Sequence, residues 1–256
     1  MAAFILVGDA EKIRRTAEES QVDISGMEIV NEPDNIKACQ AAVSLVATGA
    51  SEALMKGLVD TSIVMKAVLD KEAGMRTDKI LSHLALFAVP TYHKLLFVTD
   101  AAINIAPDLA AKKSIIQNAV EAVNNLGISN PKVALLSAKE KADPKMSSSM
   151  EAAELTAQHK NGEILGCILD GPLALDNAIS KESAKIKGID SPIAGDADVL
   201  VCPNIESGNV LYKSLVFLAD AKNGGVVLGA KKPVILTSRA DSAESKLISI
   251  ALGILS

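Results

Sequence analysis

Residues 95–136 read LLFVTDAAINIAPDLAAKKSIIQNAVEAVNNLGISNPKVALL and hold a strand, a long helix and a second strand in that order. The strand is the apolar run Leu95 to Val98. Asp108 starts a long amphipathic helix that stops at Gly127, where a residue free to adopt positive φ ends it. Val133 to Leu136 is the next strand. Both strands are continuously apolar rather than alternating, which is the pattern of strands covered on two faces. The unit therefore predicts a parallel sheet with helices on both sides.

The same rhythm extends in both directions. Towards the N-terminus, Phe4–Val7, Met27–Val30 and Ala53–Lys56 read as strands. Asp9 caps a helix through Ser20, Asp34 one through Thr48, and Thr61 or Ser62 one to Lys71. Leu81–Val89 pairs with Leu95–Val98 across Pro90-Thr91-Tyr92-His93 as a hairpin. Towards the C-terminus, strands are expected at Ile164–Leu169, Val199–Cys202, Val226–Leu228 and Val234–Thr237. Helices are expected from Ser147 or Ser148 to Asn161, from Asn209 to Lys222 and from Asp241 to Leu255.

Composition narrows the function. The chain has 256 residues, 49% apolar and 22% charged, which is ordinary for a globular protein. The net charge of −5 and an aromatic content of 2% argue against nucleic-acid partners, which require a basic surface or stacking aromatics. Cys39, Cys167 and Cys202 are odd in number and widely spaced, as free thiols in a reducing cytoplasm would be. The N-terminal apolar run lacks a basic flank, and no stretch of about 18 apolar residues suggests a membrane span. His83, His93 and His159 show no metal-ligand spacing, and His83 reads as a core residue within an apolar run.

In an α/β sheet, ligands bind beyond the carboxyl ends of the strands. Five such ends carry polar or charged residues. They hold Lys56, followed by Thr61, Ser62 and Lys66; Ser147 and Ser148; Asp170 and Asp176; Asn204, Asn209, Tyr212 and Lys213; and Ser238, Arg239 and Asp241, with Glu244 one turn further. Hydroxyls and cations near helix N-termini suit an anion, phosphate above all. Each also has an ordinary structural reading. The hydroxyls are common caps, Asp-Gly-Pro is a common turn, and Tyr212 and Lys213 fit the rim of an amphipathic helix.

Taken together, DGPLALDNA (170–178), PNIESGNVLYK (203–213) and KPVILTSRADS (232–242) resemble the phosphate acetyl/butyryl transferase family. FVTDAAINIAPD (97–108) and LTSRADS (236–242) are most similar to its butyryl branch. The resemblance implies two α/β/α domains with mostly parallel sheets, similar to the isocitrate/isopropylmalate dehydrogenases, and an active site in the cleft. Residues 1–88 plus 241–256 would form one domain, without the strand and helix that usually precede Phe4; residues 89–240 would form the other. It further implies a cytoplasmic homodimer or larger oligomer that uses acyl-CoA and phosphate as substrates, with no cofactor, metal, nucleic acid or membrane.

By the same resemblance Ser238 steers the CoA thiol and Arg239 neutralises developing charge. Thr61 and Ser62 meet phosphate, with Lys66 behind them. Lys66 stands where acetyl-branch relatives carry Arg, so a point charge replaces a bidentate fork. Ser245 stands where they carry the acid taken as base, leaving Asp241 and Glu244 as the nearest carboxylates. Two other readings are phosphate acetyltransferase and a non-catalytic protein of this fold that binds CoA or an anion. A β-decarboxylating dehydrogenase is disfavoured, because its several substrate-binding arginines have little counterpart in a chain with Arg14, Arg15, Arg76 and Arg239 alone.

Overall fold

The computed structural model describes residues 3–237 and 241–256 of the chain. Strand β1 (Ile5–Gly8), helix α1 (Ala10–Glu19), strand β2 (Glu28–Asn31) and helix α2 (Asn35–Ala47) come first. Strand β3 (Leu54–Met55), helix α3 (Thr61–Val68) and the antiparallel pair β4 (Ser82–Ala88) and β5 (Leu96–Thr99) follow. The middle of the chain forms α4 (Leu109–Asn125), β6 (Lys132–Leu136), α5 (Ser147–Lys160), β7 (Ile168–Leu173), α6 (Leu175–Ile179) and α7 (Lys181–Ile186). It closes with β8 (Val199–Val201), α8 (Ile205–Phe217), β9 (Lys222–Leu228), β10 (Val234–Ile235) and α9 (Ala243–Leu255).

Short side chains start the helices where their oxygens reach the orphan N–H groups of the first turn. Asp9 accepts from Glu11 and Lys12, Asp34 from Ile36 and Lys37, and Asp108 from Ala111, as the sequence predicts. Elsewhere the caps shift by a residue or more. Asp60 precedes α3 and Met146 precedes α5, so Thr61, Ser62, Ser147 and Ser148 lie within first turns instead of capping them. Asn204 caps α8 by accepting from the Ser207 N–H, which starts that helix ahead of Asn209. Ser242, rather than Asp241, caps α9.

One strand is displaced. The apolar run from Ile164 predicts a strand ending at Leu169, but Gly166 adopts φ +77° and turns the chain there. The strand forms at Ile168–Leu173 and carries Asp170-Gly171-Pro172 inside it, not in a turn beyond it. A side chain at Gly171 would bring its Cβ to 2.6 Å from Leu135 Cβ, so glycine lets β7 lie against β6.

Strands β1 and β2 form a parallel two-stranded sheet, and the rest form an eight-stranded sheet in the order β3-β10-β9-β4-β5-β8-β6-β7. Five of the eight pairings among the described residues are parallel. Antiparallel β9–β10 follows from a linker of residues 229–233, too short for a parallel crossover. At its start Gly229 has φ +92°, and a Cβ there would come to 2.1 Å from Ile80 O.

Apolar side chains fill both faces. Ile116, Val123 and Leu155 of α4 and α5 pack on Val133 and Val199. On the opposite face Ala85, Phe87 and Leu200 meet Tyr212 and Leu215 of α8. A third cluster joins Val43 and Val64 of α2 and α3 to Val227 and Val234. Each fully buried side chain of this size contributes roughly 1.5–3 kcal/mol. No helix among the described residues is long and apolar enough to cross a membrane.

Candidate functional site

The sheet does not gather all five strand ends at one edge. Strands β5, β8, β6 and β7 run parallel, but three successive antiparallel pairings, β5–β4, β4–β9 and β9–β10, reverse the direction of β10 and of its parallel neighbour β3. The carboxyl ends of β3 and β10 therefore face the opposite edge from those of β5 to β8.

At the first of these edges Lys56 follows β3 directly beside the exit of β10. Its N–H donates to Ile235 O at 3.0 Å. The Lys56 side chain is buried, and Nζ donates to Gly57 O at 3.1 Å and Val59 O at 3.4 Å. Carbonyl dipoles thus hold the ammonium near the start of α3, where Thr61 and Ser62 are exposed; Lys66 is exposed in that helix's last turn. Buried Thr237 leads from β10 to Ser238 and Arg239, which lie outside the described residues.

At the opposite edge, Ser148 Oγ meets Ser137 Oγ at 3.0 Å beyond β6, while Ser147 is exposed. Asp170 Oδ1 accepts from the Gly171 N–H at 2.9 Å. Asp176 pairs with Lys187 at 2.9 Å, and Lys187 also reaches Glu140 at 3.1 Å. Hydrogen bonding from Lys187 lowers the pKa of Asp176. Asn209 Nδ2 donates to Ala101 O at 3.2 Å, and Gly208 lets α8 lie against Asp100 O, where a Cβ would come to 2.3 Å. Lys213 is exposed.

A third group sits on the sheet face under α8. Ser245 Oγ donates to Asn223 Oδ1 at 3.1 Å, and Asn223 Nδ2 donates to Tyr212 Oη at 2.5 Å. The Tyr212 ring stands edge-on to Phe87 at 5.2 Å and tilted to His83 at 6.1 Å. Burial pushes the Tyr212 hydroxyl up to about 12, the charge of Asp241 adds to the rise, and the Asn223 hydrogen bond opposes it. His83 is 6% exposed, and its Nδ1 has no hydrogen-bond partner among the described residues. Burial lowers its pKa, while the charges of Asp100 and Asp241 work against the drop.

Asp100 anchors this group. Its Oδ1 accepts from the N–H groups of Ala102 (2.8 Å) and Ile103 (3.0 Å). Its Oδ2 accepts from the backbone N–H groups of His83 (3.2 Å) and Asn104 (3.3 Å) and from Asn104 Nδ2 (2.6 Å). Glu244, by contrast, faces solvent and pairs with Lys222 at 2.6 Å.

Sequence reasoning passed over Asp100, Asn223 and His83 as site residues. Asp100 carried one usable signal, an acid directly after a strand. Asn223 carried none, because its partners lie 11 and 22 residues away. The protein's own thiols are poor nucleophiles: burial raises Cys39, pushes Cys167 up to about 11 and Cys202 up to about 12, the last with help from Asp100. Among the described residues no group of His, Cys, Asp and Glu is placed to hold a metal ion.

Comparison with known proteins connects this geometry to a chemistry. Residues 33–254 match the family model described as phosphate acetyl/butaryl transferase. The phosphate butyryltransferase of Clostridium acetobutylicum is 48% identical over 255 residues, covering 100% of this chain and 85% of that protein. The phosphate acetyltransferase of Rhizobium meliloti is 47% identical over 251 residues, covering 98% and 79%. The crystal structure of a branched-chain phosphotransacylase from Enterococcus faecalis V583 superposes with a TM-score of 0.85 at 38% identity, covering 98% of each chain. A 4-hydroxythreonine-4-phosphate dehydrogenase from Klebsiella pneumoniae, at 14% identity and a TM-score of 0.62, shares the fold alone, over 98% of this chain and 89% of that one. The chain belongs to the phosphate acetyl/butaryl transferase family.

Proposed function

We propose that the protein interconverts a short-chain acyl-CoA, butyryl or branched, and phosphate with the acyl phosphate and free CoA. The similarity to a phosphate butyryltransferase along the whole chain carries this reading. The 98% mutual coverage with the branched-chain phosphotransacylase of Enterococcus faecalis supports the choice of acyl group.

In the direction of thioester formation the CoA thiol must lose a proton and attack the carbonyl of the acyl phosphate. A free thiol has a pKa of about 8.5 and is only a few per cent ionised near neutrality. Phosphate is a good leaving group, so the thiolate can displace it without a covalent enzyme intermediate. The phosphate and the tetrahedral oxyanion need donors and positive charge. Lys56, Thr61 and Ser62 cluster at the end of β3 and the start of α3, where N–H groups and the helix dipole favour an anion. Arg239 and Ser238 follow β10, which pairs with β3, and would complete that side of the site. The polar residues beyond β6, β7 and β8 would meet other parts of the acyl-CoA.

The test is release of free thiol from acetyl-, propionyl-, butyryl- and isovaleryl-CoA, with and without phosphate. Phosphate-dependent release that peaks at butyryl or isovaleryl is expected. A peak at acetyl would make the protein a phosphate acetyltransferase, in keeping with the Rhizobium relative. CoA binding without release from any donor would overturn the enzymatic reading and leave a binding protein of this fold.

A further inference from the structure

The geometry points to His83 as the general base that takes the proton of the attacking CoA thiol, an assignment that rests on the acyl transfer proposed above. The position where acetyl-branch relatives carry an acid is Ser245 here, and its hydroxyl is committed to Asn223. Of the two neighbouring carboxylates, Glu244 is drawn into solvent by Lys222. His83 lies in the same group of residues and is the one whose structure is left incomplete. More than nine in ten buried polar groups in native proteins have a partner. Nδ1 of an imidazole 94% withdrawn from solvent has none among the described residues, so no protein group takes up its hydrogen-bonding position.

The surroundings suit a base. The Nε2 corner of the ring lies over Gly225 of β9, which leaves room for it: a Cβ there would come to 2.7 Å from Nε2. Thr99 Oγ1 donates to His83 O at 2.9 Å, and the His83 N–H is held by Asp100, which fixes the backbone beneath the ring. Three titratable groups face the imidazole. They are Asp100 from the loop after β5, Asp241 from the segment before α9 and Tyr212 from α8; β9 presents only Gly225. Burial favours the neutral imidazole, the form that accepts a proton. The two carboxylates then stabilise the imidazolium as it forms. In the step itself the S–H bond breaks and its proton passes to Nδ1. The thiolate forms the C–S bond, the C–O bond to phosphate breaks, and the released phosphate takes the proton back from His83 as it leaves.

The experiment follows CoA acylation by butyryl phosphate in the full chain, wild type against H83Q, from pH 5 to 9. The expected H83Q result is a kcat lower on the order of 10²- to 10³-fold with the KM for CoA little changed. Because burial lowers the His83 pKa, the wild-type rate should level off already below the ordinary imidazole value of 6.5, and that plateau should vanish in H83Q, leaving a rate that climbs with thiol ionisation. A kcat within about threefold of wild type, or an unchanged acid limb, overturns the assignment. A second measurement needs no His83 variant. The chain has three histidines, so their imidazole C2–H signals can be assigned by substituting His93 and His159. Saturating CoA should shift the His83 signal, and a signal that stays put overturns the assignment as well. Wild-type protein that consumes no acyl phosphate overturns the function; turnover with an unaffected H83Q overturns only the base.

Discussion

Asn223 Oδ1 accepts from Ser245 Oγ at 3.1 Å while its amide nitrogen donates to Tyr212 Oη at 2.5 Å, so one side chain at the start of β9 joins α9 to α8. Ser242 Oγ extends the chain by donating to Ser245 Oγ at 3.0 Å while accepting from the Ser245 N–H. Every side-chain donor in this series points from α9 towards Tyr212. Ser242 is the cap of α9, so these bonds also set where that helix begins.

Asn223→Leu strips both hydroxyls of their partner while keeping the side-chain volume. The stranded Ser245 hydroxyl is buried and the Tyr212 hydroxyl half-buried, and losing the partner of the buried one is expected to cost about 1–3 kcal/mol. At this chain length a loss of 1 kcal/mol lowers Tm by roughly 2–4 °C. Thermal unfolding of the variant should therefore show a drop of several degrees. An unchanged Tm would mean that the series contributes nothing to stability.

Asp196 sits among two lysine ammonium groups and an imidazole. It meets His93 Nε2 at 2.7 Å, Lys132 Nζ at 2.5 Å and Lys94 Nζ at 3.2 Å. Burial alone would raise its carboxyl, but hydrogen bonds from Lys132, His93 and Lys94 outweigh that and hold it well below the usual range. A carboxyl lowered in the folded state stabilises the protein above its unfolded value of 3.8, and that contribution is lost as pH falls below it. Asp196→Asn should destabilise on the order of 2 kcal/mol at pH 7. Denaturant titrations at pH 7 and pH 3 would show the gap to wild type narrowing at the lower pH; a gap that is constant or wider would refute the ion-pair account.

Arg239→Ala is expected to remove most activity while leaving the fold intact. Loss of one well-placed donor to a developing oxyanion costs roughly 10²- to 10³-fold in kcat. Thiol-release kinetics alongside circular dichroism provide the check. A well-folded variant with wild-type turnover would remove Arg239 from the site.

Much of the fold is legible in local chemistry. Asp9, Asp34 and Asp108 start helices because a short carboxylate reaches N–H groups two or three residues on, an interaction that needs no distant partner. Continuous apolar strands spaced by helices dictate a largely parallel sheet for the same reason. The hairpin of β4 and β5 is visible in its Pro90-Thr91 turn, and the reversal between β9 and β10 was readable from their five-residue link. The displaced strand β7 was not, because an apolar run does not disclose that Gly166 turns inside it.

The site divides along the same line. Which residues follow each strand can be counted along the chain, and that count brought forward Lys56, Thr61, Tyr212 and Arg239. Which edge of the sheet each strand end faces depends on the number of reversals between neighbouring strands, and neighbours such as β4 and β9 are more than a hundred residues apart. His83 shows the consequence most directly. Along the chain it is one polar residue in an apolar run, and burial is the natural reading of that pattern. Asp100, Tyr212 and Asp241 come to face it only once β4, α8 and the entry to α9 pack together, because charge and hydrogen bonding act through space and not along the chain.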